Sequence, residues 1–366
     1  MAKGMILAAG QGTRIRPLTK SLPKPMIPIL GKPVMEYLIE HMARYGIRDI
    51  MVNVAFNHYK IENYFGDGRR WGVNIGYSFE GEREYGEITS KPMGSAGGMK
   101  KIQDFGGFFD ETTLVVCGDA IIDLDIGAAL FEHKAKNAIA SVVTLEVPRE
   151  QVKNYGVVVT DEQSHIKFFQ EKPSPEEAKS TFASTGIYIF EPQVLDYVPS
   201  NKVFDIGSEL FPLLVKEQLP FFAQNRFFNW IDIGRLTDYW EVSQRVLRGE
   251  VALMDMPGKE IQPGVWVGLN TPILDSVNIV GPVYIGSNVK IEPGATIIGP
   301  AWIGHGSHIR SHTRLERCIL SEYVRIGAGQ HLSELIISSQ YCVDREGNAH
   351  YLGEDKYPVR WGDARG

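Results

Sequence analysis

Residues Ile279–Ile303 read IVGPVYIGSNVKIEPGATIIGPAWI, with isoleucine at 279, 285, 291, 297 and 303. The same step of six runs outward in both directions, through Ile261, Val267 and Ile273 before it and Ile309 and Leu315 after it. With roughly a quarter of residues aliphatic, ten such positions in one register would arise by chance about once in 10⁶ registers. The register slips by one at Leu320 and resumes through Ile326 and Leu332, with glycines such as Gly264, Gly294 and Gly306 at the turns. A strand alternating in a sandwich has period two and cannot give this spacing. Six-residue repeats with one inward aliphatic residue are the pattern of a parallel β-helix, three hexads to a coil and about four coils here.

Upstream of about residue 255 the rule changes. Short β-branched runs at Met5–Ala9, Asp49–Phe56, Thr113–Gly118, Ser141–Val147, Gly156–Thr160 and Gly186–Phe190 alternate with helix-like segments such as Pro33–Arg44 and Asp238–Leu247. That alternation predicts an α/β domain with a Rossmann-like, mostly parallel sheet covered on both faces, binding ligands at the carboxyl ends of its strands. The expected organisation is therefore a catalytic domain over 1–250, a repeat domain over 259–342 and a C-terminal tail over 343–366, packed on the solenoid end or on a neighbour, with a hinge at Arg248–Gly258.

The chain has 366 residues, 38 Lys plus Arg against 44 Asp plus Glu, and a net charge of −6. This balance lacks the basic footprint of a nucleic-acid binder. No apolar run approaches the ~20 residues of a membrane span, and the stretch Met5–Ala9 is too short for a signal-peptide core. The three cysteines (Cys117, Cys318 and Cys342) contain no CxxC pair, so reduced thiols in a cytoplasmic protein are expected and a zinc site is not.

The most informative chemistry lies in Leu7–Pro28, LAAGQGTRIRPLTKSLPKPMIP. A strand stops at Gly10, and Gly10 and Gly12 let backbone N–H groups face an approaching phosphate without a Cβ in the way. Arg14 and Arg16 offer charge-assisted hydrogen bonds, and Lys24 stands on a backbone stiffened by Pro23 and Pro25. The phrase is neither GxxxxGK[ST] nor GxGxxG. It resembles the signature of the sugar-1-phosphate nucleotidyltransferases, or nucleotide-sugar pyrophosphorylases, over residues 3 to about 245. Several members carry a hexapeptide repeat, a left-handed β-helix, behind the catalytic domain. In detail the chain resembles the cyanobacterial-type UDP-glucose pyrophosphorylases and the related mannose-1-phosphate guanylyltransferases, to which the phrases Phe204–Pro212 and Tyr341–Asp344 are also similar.

The resemblance implies an enzyme that joins an NTP to a sugar 1-phosphate, releases pyrophosphate and uses Mg²⁺. Leu7, Ala9, Gly10, Gly12, Thr13, Arg14 and Lys24 would hold the nucleotide, with Gly118 and the loop Gly94, Ser95, Ala96, Gly97, which resembles a base-reading GTAG element. Asp119 and Asp232 each end an apolar run before or after glycine (TLVVCGDA and NWIDIG) and would be the magnesium pair. Tyr155, Gly156, Glu171, Lys172, Ser184, Thr185 and Asp232 would meet the sugar phosphate, with Ser184 departing from the usual Asn. Arg14, Lys24, Asp119, Lys172 and Asp232 would carry catalysis by positioning and charge stabilisation, with no general base. Thirteen residues, Gly81–Met93, exceed what guanylyltransferases carry before the base loop and favour UTP with glucose 1-phosphate over GTP with mannose 1-phosphate. His305, His308, His312 and His331 raise an acyltransferase alternative that four coils without an insertion loop do not favour. A non-catalytic regulatory subunit would be expected to lose Arg14, Lys24 or Asp119, and all three are present. A homo-oligomer formed through the β-helix is expected, because a solenoid end must be covered.

Overall fold

The computed structural model describes residues 2–84, 87–251, 256–353 and 360–366, the side chains of 82–84, 87 and 88 excepted. Part of the expected hinge (252–255), the tip of the Gly81–Met93 insertion (85–86) and part of the tail (354–359) lie outside the described residues. The chain falls into two compact units, one of Met1–Gln11, Ser21–Met26 and Val34–Trp230, the other of Gly12–Lys20, Ile27–Pro33 and Ile231–Gly366.

The first unit is built on a nine-stranded sheet: β1 (Lys3–Ala8), β2 (Asp49–Val54), β3 (Asn74–Phe79), β4 (Thr113–Cys117), β5 (Ala140–Glu146), β6 (Gly156–Thr160), β7 (Ile166–Glu171), β8 (Phe182–Phe190) and β9 (Phe221–Asn225). Its order is β7-β6-β8-β4-β1-β2-β3, with β5 pairing both β8 and β9. The strands β4, β1, β2 and β3 run parallel, as the βα alternation requires, whereas β8 enters antiparallel to β4. Successive residues Met5 and Ile6, and again Val115 and Val116, enter separate buried clusters, so both faces of the sheet are covered. One cluster takes the apolar stripe Met35, Leu38, Ile39 and Met42 of helix α1 (Val34–Arg44) together with Ile61 and Phe65 of α2 (His58–Phe65). The other takes Ala96, Met99 and Ile102 of α3 (Ser95–Gly106) and Phe211 and Leu214 of α5 (Phe211–Lys216). The helix α4 (Ile126–Ala135) begins at Asp125, whose Oδ1 accepts from Ala128 N at 2.9 Å. The insertion forms an antiparallel hairpin, Gly81–Glu84 with Glu87–Ser90.

The second unit holds the repeats and α6 (Leu236–Leu247), which lies against the strand Ala301–Ile303. Parallel ladders stack Val267, Ile285, Ile303, Leu320 and Ile337 in one row, Ile279, Ile297, Leu315 and Leu332 in a second, and Ile291, Ile309 and Ile326 in a third. Three rows make a three-faced parallel β-helix, and each buried aliphatic side chain contributes about 1.5–3 kcal/mol. Within these rows the spacing is eighteen residues up to Leu315 and seventeen after it, because the turn between Glu316 and Ile319 is short and holds Arg317 at φ 51°. The expected inward position of Ile261 is corrected: it is 48% exposed, since Lys259–Gln262 is an antiparallel edge strand with no coil beyond it among the described residues. At the other end Tyr341–Val343 folds back antiparallel on Ile336–Ile337, and Trp361–Asp363 pairs antiparallel with Val324–Ile326. The tail thus closes the last coil. No helix among the described residues is long and apolar enough to cross a membrane.

Candidate active site

The registers Leu7↔Cys117, Ala8↔Val54 and Val54↔Phe79 bring the carboxyl ends of β4, β1, β2 and β3 to one edge of the sheet. Ala9 and Gly10 leave β1 there, and a Cβ on Gly10 would find nothing within 4 Å, which keeps this backbone open to a ligand. At the end of β4 a side chain on Gly118 would press within 2.9 Å of Ile6 Cγ2 and 3.0 Å of Leu7 O. Only glycine therefore lets the chain turn and present Asp119. The ammonium of Lys24 donates to Asp119 Oδ2. Lys24 stands in a short 3-10 turn with Pro23 and Pro25 buried on either side. Asp119 thus offers a hard, partly exposed carboxylate oxygen, the donor type a divalent magnesium takes, and here it is paired with a lysine. Asp123 and Asp125 are spent structurally. Asn229 grips both oxygens of Asp123 through its N and Nδ2 (2.6 and 2.7 Å), and Asp125 caps α4.

The sugar-phosphate candidates gather beside this edge. β8 pairs with β5 along one side, and its other side carries β4 at Ile187–Phe190 and β6 at Ala183. The end of β4 therefore points at the start of β6. Gly156 is the cross-strand partner of Glu171, and Lys172 N donates to Tyr155 O at 3.1 Å, so Tyr155, Gly156, Glu171 and Lys172 form one patch. Lys172 holds φ at 46°, a conformation uncommon outside glycine, and its Nζ meets Glu171 Oε1 at 2.8 Å with both side chains about half exposed. Ser184 faces Thr144 across β5 and β8. Thr185 is turned inward: it is 2% exposed, and its hydroxyl donates to Val143 O at 2.8 Å.

The base-loop candidates Gly94, Ser95, Ala96 and Gly97 open α3, with Gly94 at φ 73° and ψ 162° just before it. Sequence reasoning missed the buried polar residues behind this loop, Asn53 and Glu80, and gave no role to Asp205 within Phe204–Pro212. An Asn inside the apolar run MVNV and a Glu at the end of YSF were the available signals.

The second unit holds the remaining candidates. Gly12 is left-handed (φ 60°) ahead of the turn Thr13–Ile15, and Thr19 Oγ1 donates to Gly12 O at 2.6 Å. Ile15, Leu18 and Thr19 are buried while Thr13, Arg14 and Arg16 are exposed, so an anchored loop presents its cations outward. Asp232 ends its short strand ahead of Gly234, where a Cβ would stand 3.5 Å from Asp232 Oδ2 and 3.3 Å from Asp238 Oδ2.

Comparison with known proteins identifies the family and the fold. The family model "Nucleotidyl transferase" matches residues 3–249, and "Bacterial transferase hexapeptide (six repeats)" matches 282–317. The chain is 51% identical over 348 residues to a protein of Synechocystis sp. named UTP--glucose-1-phosphate uridylyltransferase, covering 95% of this chain and 90% of that one. A solved structure from Bacillus anthracis, provisionally described as a glucose-1-phosphate thymidylyltransferase in complex with a sucrose, shares the fold with a TM-score of 0.59. It is 24% identical, and the match covers 70% of this chain and 98% of that one. A family model spanning residues 3–249 and a relative 51% identical over 95% of the chain fix the membership: the chain belongs to the nucleotidyl transferase family and carries a C-terminal hexapeptide-repeat region.

Proposed function

We propose that this enzyme transfers uridylyl from UTP to glucose 1-phosphate, giving UDP-glucose and pyrophosphate. The single observation that carries this reading is the 51% identity, over 95% of the chain, to the relative named for that reaction. A phosphate oxygen of glucose 1-phosphate attacks the α-phosphorus of UTP in line. The new P–O bond forms as the bond to the β-phosphate oxygen breaks, and pyrophosphate leaves with that oxygen.

Each residue's role follows from the charge it carries and where the chain presents it. Arg14, on its anchored turn, and Lys24 balance the charge of the β- and γ-phosphates and of the leaving pyrophosphate. Leu7, Ala9, Gly10, Gly12 and Thr13 supply backbone around the phosphates, with Gly118 leaving room at the strand end. Lys172 draws in the anionic nucleophile and offsets repulsion between two polyanions, while Glu171 and the backbone of Tyr155 and Gly156 orient the sugar beside Ser184. Asp119 and Asp232 would hold Mg²⁺, which supplies charge neutralisation at the reacting phosphates. The sugar phosphate is largely ionised at neutral pH, so no residue need remove a proton. The solenoid serves as the surface for a homo-oligomer. No disulfide joins Cys117, Cys318 or Cys342 among the described residues, which supports the cytoplasm as the working compartment.

Pyrophosphate release with Mg²⁺, crossing the four NTPs with glucose, mannose and N-acetylglucosamine 1-phosphates, tests the reading. UTP with glucose 1-phosphate is expected to dominate. Dominance of GTP with mannose 1-phosphate would overturn the substrate assignment, and silence throughout would overturn the activity.

A further inference from the structure

Two carboxylates take no part in this chemistry, yet both are tied to the loop Met93–Gly98. Glu80 is 2% exposed, and its Oε2 accepts from Met93 N at 3.1 Å. Its Oε1 accepts from Asn53 Nδ2 at 2.7 Å, and Asn53 Oδ1 accepts in turn from Ala8 N at 2.8 Å. A continuous buried relay thus joins the end of β1 to the start of the loop. On the far side Asp205 Oδ2 accepts from Ser95 Oγ at 2.8 Å, and the same hydroxyl accepts from Ile206 N at 2.8 Å. Backbone bonds from Phe204 N to Met93 O (2.9 Å) and from Gly97 N to Phe204 O (2.8 Å) complete the grip.

The glycines of the loop are dictated by this packing. A Cβ on Gly98 would stand 2.3 Å from Glu80 Oε1, one on Gly94 2.5 Å from Phe204 O, and one on Gly97 2.6 Å from Lys202 O. Burial raises the pKa of Asp205, but hydrogen bonds from Ser208 N, Ser95 and Gly207 N outweigh it and hold the carboxyl below its usual range. A part-buried carboxylate bonded this fully resists displacement, because any movement breaks charge-assisted hydrogen bonds.

We infer that Glu80 and Asp205 are positioning residues that hold Met93–Gly98 as a rigid nucleobase cradle, and that the Asn53–Glu80 bond sets its distance from the phosphate-binding end of β1. The inference rests on the reading of this loop as the base site. A preorganised backbone cradle discriminates among bases by leaving the wrong edge unpaired, so a loosened one loses selectivity before it loses chemistry.

The polarity of the relay supplies its own test. In Glu80→Gln the amide must turn its N–H₂ toward either Asn53 Nδ2 or Met93 N, a donor facing a donor. Adding Asn53→Asp restores every bond, with the polarity of the central one reversed. The new carboxylate at position 53 accepts from Ala8 N and from the amide N–H₂ at position 80. The amide oxygen at position 80 is then left to accept from Met93 N. The readout is kcat/KM for UTP divided by that for CTP, at saturating glucose 1-phosphate, together with Tm. Glu80→Gln is expected to lower this ratio by about 10- to 100-fold, mainly through the KM of UTP, and the double variant to restore it. Ser95→Ala is expected to lower the ratio in the same direction with the KM of glucose 1-phosphate unchanged. An unchanged ratio in Glu80→Gln would overturn the inference, as would a double variant that regains Tm without regaining selectivity. If the wild type prefers another NTP, the uridylyl assignment fails. The relay is then judged by the same ratio taken with that NTP.

Discussion

The ammonium of Lys24 sits on the carboxylate of Asp119, two residues 95 apart in sequence brought together by a proline-flanked turn and the end of a parallel strand. On the proposed function, a divalent cation held by Asp119 would compete with Lys24 for this carboxylate. A Lys24 displaced from it would be available to the phosphates.

Lys24→Met removes the competitor and the phosphate partner together. Mn²⁺ affinity of the nucleotide-free protein, measured by titration calorimetry, is expected to rise severalfold, while kcat falls by on the order of 10²-fold. Unchanged Mn²⁺ affinity would show that the lysine does not guard the carboxylate.

Asp119→Asn keeps the shape of the side chain and removes its charge. Turnover at saturating substrates is expected to drop by about 10²-fold or more. The fold should remain intact, because the residue is partly exposed and beyond the end of β4. Wild-type kcat in this variant would remove Asp119 from the mechanism.

Lys172→Met tests the sugar-phosphate patch. The ion pair with Glu171 is half exposed and contributes little to stability, so Tm should move by less than about 2 °C. The kcat/KM for glucose 1-phosphate is expected to fall by about 10²-fold. A variant that changed the KM of UTP alone would place Lys172 on the wrong substrate.

Acid sensitivity should come from two buried histidines. Burial lowers the pKa of His133 against the raising effect of Glu191 at 3.2 Å, and it lowers that of His41 in the same way. Below about pH 6.5, the ordinary histidine value, the unfolded chain takes protons that these folded groups refuse. Their contribution is therefore complete above that pH and is lost as pH falls toward their folded values. His133→Gln keeps a partner for Ser141 Oγ, now 2.7 Å from His133 Nδ1, and should flatten the decline of Tm between pH 7 and 5. An unaltered slope would assign the acid sensitivity elsewhere.

Legibility in the sequence followed the range over which each feature is encoded. The hexads repeat locally, so Ile285, Ile303 and Ile309 announce the solenoid directly, while Ile261, on the first antiparallel strand, departs from the pattern. Strand–glycine–aspartate at Asp119 was equally plain, because burial and turn chemistry sit side by side. β8 begins at Phe182, earlier than the run at Gly186, since Ala183 and Ser184 draw their strand character from pairing with β5. The grouping of residues 12–20 and 27–33 with the repeats follows from tertiary packing and leaves no periodic trace. Asn53, Glu80 and Asp205 were the least legible: single polar residues, 27 and 110 positions from their side-chain partners, acquire meaning only once the sheet aligns them.

The most direct measurement uses glucose 1-phosphate carrying oxygen-18 throughout its phosphate, incubated with UTP and Mg²⁺ and followed by ³¹P NMR and mass spectrometry. Attack of the sugar phosphate on the α-phosphorus predicts UDP-glucose that retains every labelled oxygen and pyrophosphate that carries none. Label in the pyrophosphate, or no UDP-glucose at all, would contradict the account.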